Sequence, residues 1–278
     1  PLMVESTEAA PSLRSLFASA AADLGVELTF PEHRGRSDHD VFFRAGVPAV
    51  HLFSGTHDAY HTVGDEAEGV DMAQVATAAA LTHRVASALA RGTETVAYTW
   101  SVDWLGAALI DDGDRLAVGE ITPGATAERS GLRPGDVLTR EGAETPRDLA
   151  VALRDLPVDG SVALAWRRNG GLTGDTTVTR RPPGYLGVQH TPLGEAERQR
   201  LGLTGDQGFV VRHVYPGTAA ARAGLLVGDI PIQLDGYDID QSTIGRRLSV
   251  IGAGVAVDLV VVRNGARKTV PITLGERE

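Results

Sequence analysis

The 278-residue chain contains no cysteine. Disulfides and thiolate chemistry are therefore excluded, and any metal would have to be held by His, Asp or Glu. It also lacks an apolar run approaching the ~18 residues that span a bilayer. No secretory leader is recognisable. The chain opens on PLMVES rather than on Met. It is therefore expected to be a processed or truncated piece, and the absence of a leader says nothing about export. Basic residues are outnumbered: 26 Lys and Arg stand against 36 Asp and Glu, a net charge of −10. That balance argues against nucleic acid and anionic membranes as partners, because both reward a basic patch. The acidity itself is read as an aid to solubility. What remains is an ordinary globular composition, 42% hydrophobic, long enough for two or three domains.

The segment up to Gly92 reads as alternating helix and strand. APSLRSLFASAAADLG carries Leu13, Leu16, Phe17, Ala20, Ala21 and Leu24 at helical spacing, with Pro11 in its first turn and Gly25 at its end. VELTF and PAVHLF read as short strands, with Pro48 at the start of the second where no ladder bond is lost. Between them DHDVFFRAG forms a short helix that Ser37 can cap and Gly46 ends. Asp71 caps a long Ala-rich helix. This order predicts parallel strands in an α/β layered sheet. Two strands are too few for such a sheet, so the segment reads as the tail of a larger α/β domain.

Beyond a linker near TETVAYTWSVD the texture becomes β-rich, and an internal repeat emerges. PGATAERSGLRPGD (123–136) matches PGTAAARAGLLVGD (216–229). Each copy is preceded by an aromatic-Leu-Gly-small tetrapeptide, WLGA at 104–107 and YLGV at 185–188. Each is followed by strand, helix and strand ending in ALAWRRNG or LVVVRNG. RRPPGY is read as the joint between copies, and the tandem arginines 167–168 and 180–181 as solvated surface. The two units, 101–182 and 183–278, resemble PDZ domains. Gly106 and Gly187 would let the backbone turn sharply and expose successive N–H groups, a nest for a carboxylate. The expected peptide carboxylate-binding loops are Leu105, Gly106 and Ala107, and Leu186, Gly187 and Val188. The strand after each loop would pair with an incoming peptide. Segments 145–156 and 240–251 would form the opposite groove walls. The insertion GEAERQRLGLTGDQG in the second copy is similar in layout to PDZ domains of periplasmic housekeeping serine proteases. Pro231 falls where a strand residue is expected and predicts an edge or a bulge.

Five of the eight histidines lie between positions 33 and 61. His51 alternates within an apolar strand and reads as partly buried and satisfied. His33 reads as exposed loop, His83 as helix surface or packing. His190 and His213 have no ligand partner in sequence. His57 and His61 are four apart, but in a Gly-containing loop without a Glu after His57, so they lack the logic of a helical zinc motif.

The wider stretch SDHDVFFRAGVPAVHLFSGTHDAYHTVGDEAEGVD resembles the C-terminal signature of the co-catalytic di-zinc exopeptidases of clan MH, which also include glutaminyl cyclases. The matching pieces are Ser37–Asp38–His39, Phe42, Gly46–Val47–Pro48, Gly55, His57, Tyr60–His61, Asp65 and Asp71. The resemblance spans 1–92 and implies residues 1–95 to be the C-terminal portion of a zinc peptidase domain. The fold would be an incomplete phosphorylase/hydrolase-like α/β sandwich followed by the two β-rich units. It implies His61 as the last zinc ligand and Tyr60 as the residue facing the scissile carbonyl. Asp38, His39 and Phe42 would border the substrate pocket, and Asp65 would pin the loop. Ala59 stands where the family commonly has Asp. More telling, no HxD, no Glu-Glu pair and no further ligand Asp precede Ser37. At most one ligand of the family's two zinc ions is present, so the chain alone is expected to be inactive.

The expected whole is a periplasmic or extracellular aminopeptidase-type enzyme whose PDZ-like units bind peptides or protein C-termini or regulate access. One alternative is a peptide-binding scaffold with a degenerate peptidase-like part. The other is a cyclase-type acyltransferase, against which Tyr60 counts, since cyclases tend to carry Trp there. The sequence does not determine an oligomeric state.

Overall fold

A computed structural model describes residues 2–32, 37–92 and 96–277. His33, read above as exposed loop, lies outside the described residues, as do linker positions 93–95. The chain is mixed α/β with several sheets. It divides into two compact units: residues 1–100 with 110–116 and 145–147, and the remainder.

The first unit opens with strand β1 (Leu2–Glu5), followed by helix α1 (Pro11–Leu24), β2 (Leu28–Thr29), α2 (His39–Arg44), β3 (His51–Phe53) and α3 (Met72–Ala90). The helical spacing of 11–24 is realised. Pro11 occupies the first turn, and Gly25 ends the helix in the left-handed region (φ 65°), its N–H returning to the last carbonyls. Leu13, Phe17, Ala20 and Ala21 of α1 and Leu81 and Val85 of α3 enclose Leu2 and Val4 in one apolar core. Asp71 caps α3, accepting from the N–H groups of Ala73 and Gln74 at 2.9 and 3.2 Å. Ser37 does not cap α2. Asp38 holds the cap position there, without a side-chain cap bond.

The sheet corrects the expectation of parallel strands. Its order is β2-β1-β3. β1 pairs in parallel with β2 but antiparallel with β3. The central strand Leu2–Glu5 escaped the sequence reading because it is only four residues long and lies at the very start of the sequence. It separates the two strands that were recognised.

The second unit holds the whole second repeat and the first repeat except for residues 110–116 and 145–147. The first contributes to a sheet running in chain order through β4 (Tyr98–Val102), β5 (Ala107–Asp111), β6 (Leu116–Ile121), β7 (Val137–Thr139), β8 (Ser161–Arg167) and β9 (Thr173–Thr179). Helices α4 (Thr126–Arg129) and α5 (Pro146–Arg154) belong with it. The second repeat runs β10 (Val188–Pro192), α6 (Glu195–Arg200), β11 (Phe209–Val214), α7 (Ala219–Arg222), β12 (Ile230–Leu234), β13 (Tyr237–Asp238), α8 (Ile244–Ile251), β14 (Ala256–Arg263) and β15 (Ala266–Thr273). Here β10 and β11 form their own two-stranded sheet, and the other four strands are ordered β13-β12-β14-β15. Pro231 lies in β12 opposite Val261 of β14, beyond the stretch that β13 pairs, and the register slips between Pro231 and Gln233. The missing N–H thus falls beside a bulge, at a position where β12 has, among the described residues, a partner strand on one side only.

Candidate functional site

In the first unit the loop after β3 brings four of the singled-out side chains together. Tyr60 and His61 stack face to face, ring centroids 4.1 Å apart at 12°. His57 meets Tyr60 edge-on at 5.9 Å. The Asp65 carboxylate accepts from the His61 backbone N–H at 3.3 Å and lies 3.4 Å from His57 Nε2. His61 has φ 59°, a left-handed conformation uncommon for a residue with a side chain. The loop is exposed, and Tyr60 itself is 37% exposed.

Of the residues expected to border a pocket, Asp38 is exposed beside α2 and Phe42 is 55% exposed on it. His39 is buried instead. Its Nε2 lies 3.0 Å from Ser6 Oγ, and its ring stacks on His51 at 5.0 Å. His51 in turn faces the buried carboxylate of Glu5 at 3.3 Å. A file of rings continues from His51 to Phe53 (5.3 Å) and on to Tyr60 (6.0 Å), linking buried His39 to exposed His61. Glu5 and Ser6, the latter with φ 71°, were not recognised as part of this cluster. The only sequence signal for them is that a strand ends there.

Zinc needs three or four donors. Among the described residues no three His, Asp or Glu side chains converge to hold an ion. The residues present therefore do not fit a zinc site, and His61 stands as a single candidate donor.

In the second unit both loop glycines have positive φ, 66° at Gly106 and 81° at Gly187, and both are crowded. A Cβ would fall 2.3 Å from the Ala125 side chain at Gly106 and 2.2 Å from Thr218 at Gly187. The hydrogen bonding differs. In the first loop the N–H groups of Leu105 and Gly106 both donate to the Val102 carbonyl, at 3.0 and 2.9 Å. They are spent within a tight turn, which corrects the expectation that this loop exposes them. Ala107 begins β5. In the second loop the N–H groups of Leu186 and Gly187 have no acceptor among the described residues, and Val188 begins β10.

The tandem arginines also depart from plain surface. Arg168 binds the buried Asp136, Arg180 donates to the Leu156 carbonyl at 2.6 Å, and only Arg167 of the first pair is exposed. His190 packs on Phe209 at 4.7 Å, and burial lowers its pKa. His83 is exposed.

The structure thus joins an α/β layer bearing an aromatic–imidazole loop to a β-rich unit bearing two repeated glycine loops. Residues 1–86, less than a third of the chain, match Peptidase family M28. Curated relatives include a probable periplasmic serine endoprotease DegP-like of Halomonas elongata. It is 30% identical over 141 residues, which is 50% of this chain and 27% of the relative. The periplasmic pH-dependent serine endoprotease DegQ of Escherichia coli is 30% identical over 92 residues, 33% of this chain and 20% of its own length. The chain spans about a quarter or less of these relatives. Among solved structures, HtrA-type protease AlgW with decapeptide overlaps 59% of this chain and 56% of its own at TM-score 0.31 and 20% identity. An aminopeptidase N family protein from Idiomarina loihiensis overlaps 43% and 19% at TM-score 0.29 and 20% identity. Among the described residues no helix is long and apolar enough to cross a membrane.

Proposed function

We propose that this chain is the C-terminal part of a zinc-dependent exopeptidase of aminopeptidase type, followed by two PDZ modules at 101–182 and 183–278 that bind peptide C-termini or regulate access. The observation that carries the reading is the match of residues 1–86 to Peptidase family M28, in a segment whose loop holds Tyr60 stacked on His61 with Asp65 bracing the turn. In this reading His61 is a metal donor and Tyr60 a carbonyl partner, while the exposed Asp38 and Phe42 border the substrate and His39 is packed behind them against Ser6 and His51. The other metal donors lie outside this chain. Further support comes from apolar side chains left in water: Val41, Phe42, Val63, Met72 and Val75 are each more than 45% exposed. Such residues are what a larger domain would cover. A periplasmic or extracellular location accords with the names of the curated relatives.

A second reading is a peptide-binding scaffold whose peptidase-like part is degenerate. The lack of a metal donor set among the described residues favours it. Extending the reading frame upstream of Pro1 separates the two. The enzyme reading expects an HxD pair, adjacent glutamates and a further Asp there. It also expects the longer protein to release N-terminal leucine from peptides, with chelation and His61→Ala each abolishing turnover. Cyclisation of N-terminal glutamine by the longer protein would point to the acyltransferase instead. A longer protein with neither activity, or an intact frame beginning near Pro1, would leave the scaffold.

A further inference from the structure

The two glycine loops share a sequence pattern but have opposite surroundings. We propose that only the second loop, with β10 and α8, takes a ligand: an extended peptide ending in an aliphatic residue with a free carboxylate. The first loop is closed by the chain itself. The inference rests on the peptide-binding reading above and assigns that role to one copy.

Strand addition needs a free edge next to the loop. In the first repeat β5 lies between β4 and β6, so the edge is already filled by residues 98–102. The loop's donors are consumed by Val102, as described. Trp104, 9% exposed, is folded inward with Nε1 bonded to the Leu153 carbonyl of α5 at 2.9 Å, so the aromatic of WLGA packs against the helix expected to form the far wall. Nothing in this copy presents both an edge and an anion nest.

In the second repeat β10 pairs, among the described residues, with β11 alone. The Tyr215 N–H donates to the Gly187 carbonyl at 3.0 Å, so by the alternation of an antiparallel ladder Val188 turns its own N–H and C=O to the opposite, unpaired edge. That edge faces a cleft of about 360 Å³. Leu186, Gly187, Val188 and His190 line one side, and Gly245 and Leu248 of α8 the other. Leu186, Val188, Phe209, Ile244 and Leu248 give the lining an apolar part that suits an aliphatic side chain, beside the polar His190, Gln241 and Ser242. At the loop end stand the undonated N–H groups of Leu186 and Gly187. Arg277 also lines the cleft, its guanidinium 5.9 Å from the Tyr185 ring centroid. The tail carrying Arg277 is held there by the paired bonds between Tyr185 and Gly275, at 2.8 and 3.0 Å. Backbone donors and a cation at the end of an apolar cleft complement a carboxylate.

The sequence difference that opens the second site is Pro182–Pro183. Where the first repeat has SVD before its loop, the second has PPG. Two successive prolines cannot donate to a ladder and do not form a covering strand. Instead this stretch runs along the end of α8, the Pro182 carbonyl accepting from Ala253 and the Gly184 N–H donating to Leu248.

The test is a nitrogen-15 correlation spectrum of the full 278-residue chain. It is titrated with acetylated decapeptide pools ending in Val, Leu or Phe, as free acids and as amides. Free acids are expected to shift the amides of 186–190 and 245–248 and leave 105–108 unmoved. Amidation is expected to weaken binding about tenfold, the scale of a lost charged hydrogen bond. Gly245→Trp should abolish the shifts. A Cβ there meets nothing within 4 Å, so the fold should survive, as an otherwise unchanged spectrum would verify. Arg277→Ala should weaken binding severalfold without touching the core. Shifts confined to 105–108 would overturn the assignment while the peptide-binding reading stood. Equal affinity for acid and amide would overturn the carboxylate. Silence of both loops toward every pool would defeat the peptide-binding reading and this inference with it.

Discussion

Arg168 closes a two-pronged ion pair on the fully buried Asp136. Its Nε donates to Oδ1 at 2.6 Å and its Nη2 to Oδ2 at 2.7 Å, while the Arg133 backbone N–H adds a bond at 2.8 Å. The second repeat reproduces the arrangement with Arg263 on Asp229, at 2.7 and 2.6 Å, and the Leu226 N–H at 2.9 Å. In each copy the arginine also reaches the carbonyl of the glycine that starts the loop, Gly131 or Gly224. The Asp of the repeated GLxxGD motif therefore ties its turn to the end of a strand some thirty residues later.

Removing that tie is expected to cost stability. Asp136→Ala leaves the turn donors and the guanidinium without their acceptor, and a loss of about 3 kcal/mol is expected, the lower end for a broken buried pair. Urea unfolding of the variant against the parent measures it. Hydrogen bonding to Arg168 holds the Asp136 carboxyl below the ordinary carboxylate range. Its contribution is then fully present above about pH 4 and is lost as the pH falls below that value toward the depressed one. Acid unfolding of the parent should be steeper between pH 4 and 2 than that of Asp136→Ala.

His190 should stay neutral under conditions that protonate an exposed imidazole. Burial lowers its pKa. With both states neutral well above the ordinary value of about 6.5, it has no effect there. As the pH falls below that value the unfolded chain takes up the proton first, and stability declines. A proton NMR titration of the imidazoles should find His190 below that ordinary value, and His190→Gln should flatten the stability profile between pH 6.5 and 5.

Two glycines of the second repeat should respond oppositely to alanine. Gly187 has φ 81° and a neighbour, Thr218, 2.2 Å from where a Cβ would sit. Gly187→Ala is expected to destabilise by about 1–3 kcal/mol. Gly245 lies in α8 with open space around it. Gly245→Ala is expected to stabilise by about 0.5–1 kcal/mol, because alanine loses less backbone freedom in a helix. Thermal melts of the two variants give the contrast directly.

Asp71→Ala should cost about 1 kcal/mol by stripping two N–H groups at the start of α3 of their acceptor. Hydrogen exchange at Ala73 and Gln74 should rise locally while the remainder of α3 stays protected.

The 278-residue chain by itself should bind zinc no better than its His61→Ala variant and should cleave no peptide, since one imidazole does not hold the ion. Calorimetric titration with zinc chloride and an assay on N-terminal leucyl substrates check this. Tight stoichiometric zinc lost in His61→Ala would overturn it.

Much of the architecture was legible where local rules act. Pro11 and Gly25 bound α1, Asp71 starts α3, and the duplicated motifs announce two related β-rich segments, because caps, turn glycines and periodicity act over a few residues. The pairing in the first unit was not legible. Nothing in Leu2–Glu5 says that it lies between β2 and β3, and strand order is set by which apolar faces α1 and α3 can cover. The burial of His39 was hidden for the same reason: Ser6 and His51, its neighbours, are distant in sequence. The contacts of the Tyr60–His61–Asp65 loop are short-range by comparison, none of those described spanning more than eight residues.

What the sequence by itself determined is the inventory: one loop with a lone candidate metal donor, two copies of a glycine loop, and a proline pair before the second copy. What only the tertiary structure decided is the use of those copies. Whether the N–H groups of Leu105 or Leu186 are free depends on which carbonyls approach them and which strand lies alongside. Hydrogen bonds are satisfied by whatever acceptor the fold brings near, not by the motif that supplies the donor. In the first copy a tight turn spends the loop donors on Val102 and β4 lies beside β5, whereas Pro182–Pro183 leave the second loop open.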